Sequence, residues 1–422
     1  MLAGRKFVFS ASTLALGTAA AQFVTFAFSF ILTRLYDSAE YGHYSIVVGC
    51  AAVLGALATG SYEKLILLAR TEGDARRARY LVALLSVGVA GLVWLSGLAV
   101  WLLEIPLPSS LKLTDLLLLL PIFVLGLSAS NIFVYSSLRH GRMSRIAVFK
   151  AGQSLVMGAS QAVLSAFKAL PGMTLGHLIG LGLVFAGACR WYLLPKGERR
   201  PTRLSLIATA RRNMHYPRYV MPNEVVDTFS NQVPLFLIGT VLALGAAGHY
   251  SLAMMMLSAP AALVGQAVGQ AFLQYISREQ DDPRVLRKAM ILVWLGMATL
   301  GLAPFTVILF FGEWIFSLAF GRPWAEAGAV AGLLAPLLLV RFISSPTSGI
   351  YLRLKMQREQ WYFCVAAAAY RLGAYSLLLL GLDLHDCILI HTALEILGIV
   401  AYNWIAMRRL KVLALEPGSR LP

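Results

Sequence analysis

Two arginines interrupt long apolar stretches in the second half of the sequence. Arg341 and Arg371 each lie near the middle of such a stretch. If these stretches cross a bilayer, an uncompensated charge there costs at least a few kcal/mol. The planar guanidinium forms paired, charge-assisted hydrogen bonds to phosphate and carboxylate groups. The sequence therefore leaves two hypotheses, a site for an anionic ligand or a structural ion pair with Glu395.

A row of polar residues lies at the start of another apolar stretch. Glu224, Asp227 and Asn231 are spaced three and four residues apart, so they share one face of a helix. A polar stripe on an apolar helix favours a position beside an aqueous cavity. Because oxygen ligands suit a proton or a sodium ion, we interpret these three residues, together with Glu395, as candidate ion-coupling positions.

His391 lies four residues before Glu395 and shares its helix face. Two ligands do not make a zinc site, so this spacing predicts a buried histidine–glutamate hydrogen bond. The four cysteines are dispersed and form no CxxC motif. We therefore predict neither a metal site nor a cofactor.

Four other polar residues are candidates for contact with a ligand. Arg34 lies at the end of the first apolar stretch, where it either guides a ligand or pairs with Asp37, which would cap the next helix. Lys64 either meets an anion or extends its charge to the membrane interface. Gln266 and Gln270 are four residues apart and could bind hydroxyl groups of a ligand or neighbouring helices.

The elements that position these residues are membrane helices. The 422-residue chain is 58% hydrophobic and only 13% charged, with a mean hydropathy of +0.72, whereas soluble domains carry about 25% charged residues. The net charge of +16 would suggest nucleic acid in a soluble protein. Here the cations lie in short loops between apolar runs, so we expect them to face anionic lipids and no nucleic-acid partner.

Apolar windows of about 20 residues predict about twelve membrane spans. The runs are continuous, so a helical bundle is favoured over a barrel. The predicted limits are 9–32, 44–68, 80–103, 113–138, 146–167, 173–194, 219–243, 247–272, 289–311, 328–350, 361–381 and 386–407.

Loop charges predict the orientation of these spans. If the amino terminus lies in the cytoplasm, nearly all loop cations fall on the inner side. The outer side then holds only Arg34, Lys112, Lys168 and Arg322. By the positive-inside rule, both termini are expected in the cytoplasm.

A short repeat divides the chain into two halves. Gly42-His43-Tyr44-Ser45 recurs as Gly248-His249-Tyr250-Ser251, between the first and second predicted spans of each half. We predict a six-helix bundle in residues 1–195, a basic cytoplasmic linker in 196–218, a second six-helix bundle in 219–410 and a cytoplasmic tail in 411–422. An even number of spans per half gives the two copies the same orientation.

The order of several motifs resembles the polysaccharide-transport branch of the MOP superfamily (multidrug/oligosaccharidyl-lipid/polysaccharide flippases), over nearly the whole chain. Its Arg-Leu-Tyr element, acidic turn, glycine and tyrosine–glutamate pair match residues in the first half, and its later motifs match the second half. The matching residues are Arg34-Leu35-Tyr36, Asp37, Glu40, Gly42, Tyr62-Glu63, Pro217, Pro222, Asn223, Gly248-His249-Tyr250, Pro260, Phe311-Gly312-Glu313, Phe320-Gly321, Trp324, Ala327-Gly328 and Ser345-Pro346.

This resemblance implies a V-shaped pair of six-helix bundles around a central cavity. It also implies a flippase that moves undecaprenyl-diphosphate-linked oligosaccharide across the bacterial inner membrane by alternating access. On this interpretation the diphosphate and sugars would meet Arg341, Arg371, Lys64, Arg34, Gln266 and Gln270. Polysaccharide polymerase and ligase proteins would be partners.

Two alternatives stay open from the sequence. A multidrug or toxic-compound antiporter would share the fold, but its cationic drugs would be repelled by cations in the cavity. A membrane glycan polymerase or ligase would need a large outer loop with catalytic residues, and the outer loops here are short. We find no Walker A motif and no complete nucleophile constellation, so we predict that the protein is not an enzyme.

Overall fold

The computed structural model describes residues 2–106, 112–167, 170–193, 201–278 and 282–415. Within these residues the regular structure is entirely helical, with no strand. Its α-helices are α1 (Leu2–Leu35), α2 (Ser38–Ala58), α3 (Glu63–Leu68), α4 (Glu72–Leu102), α5 (Leu120–Arg139), α6 (Met143–Leu164), α7 (Gly172–Ala188), α8 (Arg203–Arg212), α9 (Met221–Val241), α10 (Leu244–Arg278), α11 (Pro283–Phe320), α12 (Ala325–Ser344), α13 (Gly349–Arg353), α14 (Gln357–Ser376) and α15 (Leu384–Leu413).

Twelve of the helices in the described part of the chain are long. The short ones are α3, α8 and α13, each of ten residues or fewer. Ten of the long helices are apolar enough to cross a membrane. The other two, α6 and α9, carry charged residues such as Lys150 and Glu224. The predicted all-α, polytopic membrane fold is thus confirmed, and the helix count agrees approximately with the prediction.

The chain divides into two compact units, Met1–Ala247 and Gly248–Pro422. In the first unit, α9 packs against α2. This packing is close, because a Cβ added to Gly49 of α2 would lie 3.0 Å from the Gln232 side chain of α9. In the sequence prediction, α9 belongs to the second bundle, residues 219–410. The predicted bundle limits themselves stay a prediction.

The polar break between the first two spans is a capped helix start. The Asp37 carboxylate accepts a hydrogen bond from the Glu40 backbone N–H at 2.7 Å, and the Glu40 side chain accepts one from the Asp37 N–H at 3.3 Å. This capping box satisfies two backbone donors of α2. Asp37 therefore has the capping role that the sequence offered as an alternative to ligand contact, and Arg34 is exposed.

The structure divides the predicted second span, residues 44–68, into α2 and α3. At the break, Gly60 and Ser61 have φ angles of 58° and 56°. Glycine adopts this left-handed conformation without strain, whereas a non-glycine residue pays on the order of 1 kcal/mol or more. Ser61 is nevertheless fully buried there. Because of this break, the side chains of Ser61 and Lys64 point in directions that they would not take in a continuous helix.

Helices α11 and α12 of the second unit pack through two glycines. A Cβ on Gly312 or on Gly328 would overlap the backbone carbonyl of the other residue. Small residues let membrane helices approach this closely, and close packing drives their association. This contact holds α12, which carries Arg341, against its neighbour.

We expect Gly328→Ala to lower the free energy of unfolding by about 1–3 kcal/mol, because its methyl group must push two backbones apart. The matched control is Gly296→Ala in α11, where an added Cβ meets nothing within 4 Å. Thermal unfolding of the purified variants in detergent measures the difference. Equal transition temperatures for the two variants would show that this crossing does not hold the helices together.

Candidate functional site

One carboxylate organises a buried polar cluster in the second unit. Glu395 of α15 is 2% exposed. Arg371 of α14 donates from Nη2 to its Oε1 at 2.8 Å and from Nε to its Oε2 at 3.1 Å. Arg341 of α12 also donates from Nη2 to Oε1. These bonds tie three helices to a single carboxylate, as the ion-pair hypothesis predicted.

A histidine and two tyrosines extend this cluster. His391 Nε2 lies 2.7 Å from Glu395 Oε2, in agreement with the predicted histidine–glutamate hydrogen bond. Its other nitrogen, Nδ1, lies 3.3 Å from the Tyr375 hydroxyl. The Tyr375 ring packs edge-on against Tyr250, with 6.1 Å between centroids. Because both imidazole nitrogens have partners, the ring orientation of His391 is fixed.

The cluster carries an excess of positive charge. Both arginines stay charged at any ordinary pH, and they share one carboxylate. With His391 neutral, the sum over Arg341, Arg371 and Glu395 is one net positive charge. A buried excess charge is costly unless water or an anion compensates it. The cluster is therefore suited to attract an anion.

The two arginines differ in accessibility. The Arg371 side chain is 9% exposed and binds both carboxylate oxygens. The Arg341 side chain is 28% exposed. A guanidinium has five N–H donors, and Arg341 uses one for Glu395. Arg371 thus has the geometry of a structural partner, and Arg341 is the one that can also contact a ligand.

A second ionic cluster lies in the first unit. Lys64 of α3 donates from Nζ to Glu224 Oε1 of α9. Ser61, at the break before α3, donates from Oγ to Glu224 Oε2 at 2.5 Å. Both carboxylate oxygens are therefore engaged, and both ionic side chains are partly exposed. Glu224 can therefore bind another cation in place of Lys64, and Lys64 can bind another anion in place of Glu224.

Glu63 belongs to the tyrosine–glutamate pair noted in the sequence, but it was not among the predicted site residues. It is 5% exposed, and its buried Oε2 has no hydrogen-bond partner among the described residues. Glu63 lies in short α3, outside the long apolar helices, and its burial raises its pKa, with nearby Glu224 acting in the same direction. The sequence feature that could have indicated a role for Glu63 is its position directly beside Lys64.

The other predicted site residues form none of the described ion pairs of these clusters. Asp227 and Asn231 are exposed on α9, and the Asn231 side chain donates to the Asp227 backbone carbonyl at 2.9 Å. Gln266 and Gln270 are both exposed on α10. Of the predicted polar stripe, only Glu224 therefore has a described ion pair. Among the described residues, no group of three or more His, Cys, Asp or Glu side chains could hold a metal ion.

The fold is similar to those of several solved membrane transporters of low sequence identity. It is similar to the lipid II flippase MurJ in an inward closed conformation, with a TM-score of 0.71 and 12% identity over 97% of this chain and 91% of that one. It is also similar to an inward-facing MATE-family multidrug transporter (0.58; 12% identity; 95% and 94% covered). A third similar structure is a MOP superfamily transporter from Pyrococcus furiosus (0.58; 13% identity; 96% of each chain covered). The chain therefore has the fold of MOP superfamily transporters.

A family model then gives a narrower assignment. The model described as "Polysaccharide biosynthesis protein" matches residues 31–329, more than half of the chain. The protein belongs to this polysaccharide biosynthesis family. No curated protein matches the chain in sequence.

Proposed function

We propose that this protein is a flippase that moves undecaprenyl-diphosphate-linked oligosaccharide from the inner to the outer leaflet of the bacterial inner membrane. The family assignment supports polysaccharide biosynthesis, and the fold is similar to that of a lipid II flippase. Alternating access is part of this proposal. The proposal makes the protein a transporter and not an enzyme.

The observation that carries this proposal is the net positive charge around Glu395. A diphosphate can accept hydrogen bonds from the donors of Arg341 that Glu395 leaves free. Arg371 and His391 meanwhile keep the carboxylate occupied. The same charge disfavours the antiporter alternative, because a cationic drug would be repelled. Exposed Gln266 and Gln270 are proposed to meet the sugar hydroxyls, and Arg34 to guide the headgroup.

The Lys64–Glu224 ion pair supports a proposal for ion coupling. We propose that substrate phosphate draws Lys64 away from Glu224. A carboxylate that loses its cation binds a proton or a sodium ion more readily. Asp227 and Asn231, on the same helix, would supply further oxygen ligands. Substrate binding at Lys64 would thus favour ion binding at Glu224.

Substitution of Glu224 tests this coupling. Glu224→Gln keeps the size of the side chain but removes its charge, so we expect translocation in vesicles to lose its response to an imposed proton or sodium gradient. Glu359→Gln, which removes a partly exposed carboxylate 3.7 Å from Arg409, serves as the matched control and should keep the response. If wild-type transport ignores both gradients, the coupling proposal fails while the flippase proposal stands.

The flippase proposal itself is tested in cells. In a strain that lacks the gene, lipid-linked repeat units are expected to accumulate with their sugars in the inner leaflet, and the wild-type gene should reverse this. Unchanged repeat-unit orientation with altered drug sensitivity would favour the antiporter. Glycan transfer by the purified protein would instead favour a polymerase or ligase.

The proposed function sets the location and partners of this multi-pass membrane protein. With both termini in the cytoplasm, as the loop cations predict, α8 and its arginines lie at the inner leaflet. Membrane lipids and lipid-linked oligosaccharide are then its ligands. The product would be consumed on the outer side by polysaccharide polymerase and ligase proteins.

A further inference from the structure

A groove in the second unit plays no part in the function proposed above. It lies between α11, α12 and α15 and has a volume of about 890 Å³. Most of its wall is apolar. The wall residues include Val340, Ile343, Ile399, Val400, Trp404 and Val412.

Three cations border this groove. Arg287 lies in the second turn of α11, and Arg408 and Lys411 lie near the end of α15. All three are exposed, and the lining includes no carboxylate. Within the described residues none of the three forms an ion pair, while the Arg408 guanidinium lies 5.3 Å from the centroid of the Trp404 ring. The positive charge here is available to a ligand.

The dimensions of the groove match one leaflet of a bilayer. The lining residues of α15 run from Ile399 to beyond Lys411, which is about 18 Å along a helix. The hydrocarbon core of a bilayer is about 30 Å thick, so about 15 Å belongs to each leaflet. The groove therefore offers a cationic end at headgroup depth and an apolar wall as deep as an acyl chain.

We infer that this groove is a binding site for one anionic phospholipid of the bilayer. Its phosphate lies among Arg287, Arg408 and Lys411, and one acyl chain follows the apolar wall. A zwitterionic lipid carries its own cation beside the phosphate, so it gains less from three unpaired basic residues. The site is independent of the transported substrate.

The test uses tryptophan fluorescence, because Trp294 and Trp404 both line the groove. The full-length protein is placed in phosphatidylcholine nanodiscs with increasing fractions of bromine-labelled phosphatidylglycerol, which quenches nearby tryptophans. Trp404→Phe identifies the share of quenching that comes from the groove. We expect that share to saturate at a low fraction of phosphatidylglycerol and to be several-fold smaller with bromine-labelled phosphatidylcholine at the same fraction, because exposed Trp404 also meets bulk lipid.

Matched variants separate this site from general surface charge. Arg287→Gln with Arg408→Gln and Lys411→Gln should require at least fivefold more phosphatidylglycerol for half-maximal quenching. The control removes three exposed cations outside the groove, Arg203, Arg211 and Lys288, and should leave the curve unchanged. Equal curves for the two triple variants, or equal quenching by both lipids, would overturn the inference. Displacement by polyprenyl phosphate at much lower concentration would overturn it too, since it would assign the groove to the substrate.

Discussion

Replacing Glu395 with glutamine is expected to cause a large loss of stability. Glu395 is buried and is the shared acceptor for Arg341, Arg371 and His391. The substitution leaves the buried Arg371 guanidinium without its counter-charge. Removing one partner of a buried ion pair typically costs about 3–5 kcal/mol. We therefore expect a strong decrease in the yield of folded protein and in its thermal transition temperature.

A second substitution shows whether the loss comes from the unpaired charge. Arg371→Met combined with Glu395→Gln removes both members of the buried pair, so it should recover part of the stability that Glu395→Gln loses. Glu359→Gln breaks a more exposed pair at 3.7 Å and should change stability by less than about 1 kcal/mol. If Glu395→Gln is as stable as this control, the cluster does not hold the three helices together.

Arg341→Gln is expected to abolish most of the transport while the protein stays folded. Glu395 would keep its bonds from Arg371 and His391, so the second unit keeps its internal ties. A hydrogen bond to a charged group contributes about 1.5–3 kcal/mol, which corresponds to roughly a tenfold to hundredfold loss in rate. The roles of the two arginines should therefore differ, because Arg341 is needed for transport and Arg371 for folding.

The difference between the two arginines is measured by translocation of lipid-linked oligosaccharide in vesicles that contain the purified variants. Arg358→Gln, an exposed arginine on α14 beside Tyr362, is the control for loss of one cation. Thermal unfolding of the same preparations shows whether each variant is folded. Full transport by folded Arg341→Gln would remove this residue from the substrate site.

The sequence was sufficient for the local parts of this account. Continuous apolar runs require helices in a bilayer, and they predict the long helices, although several helix ends lie more than five residues from the predicted limits. The four-residue spacing of His391 and Glu395 indicates their hydrogen bond. Asp37 followed three residues later by Glu40 is the usual pattern of a capping box. Each of these features depends on residues that are close in the chain.

The parts that the sequence did not predict depend on residues far apart in the chain. Lys64 and Glu224 were assigned separate roles, because nothing in the spacing of α3 and α9 shows that they meet. The break at Gly60 and Ser61 falls within an apolar run whose composition allows a continuous helix. The packing of α9 against α2 likewise depends on the fit of Gly49 and Gln232 and not on a local pattern.

The central claim is tested most directly by the leaflet position of a labelled undecaprenyl-diphosphate-linked oligosaccharide. Vesicles contain the labelled lipid in both leaflets, and a sugar-modifying reagent that cannot cross the membrane is added outside. In vesicles with the purified protein, we predict that the reagent gradually modifies the whole pool. In protein-free vesicles, and in vesicles with Arg341→Gln, only the outer-leaflet fraction should react promptly. The same limited reaction with the wild-type protein would contradict its proposed function as a flippase.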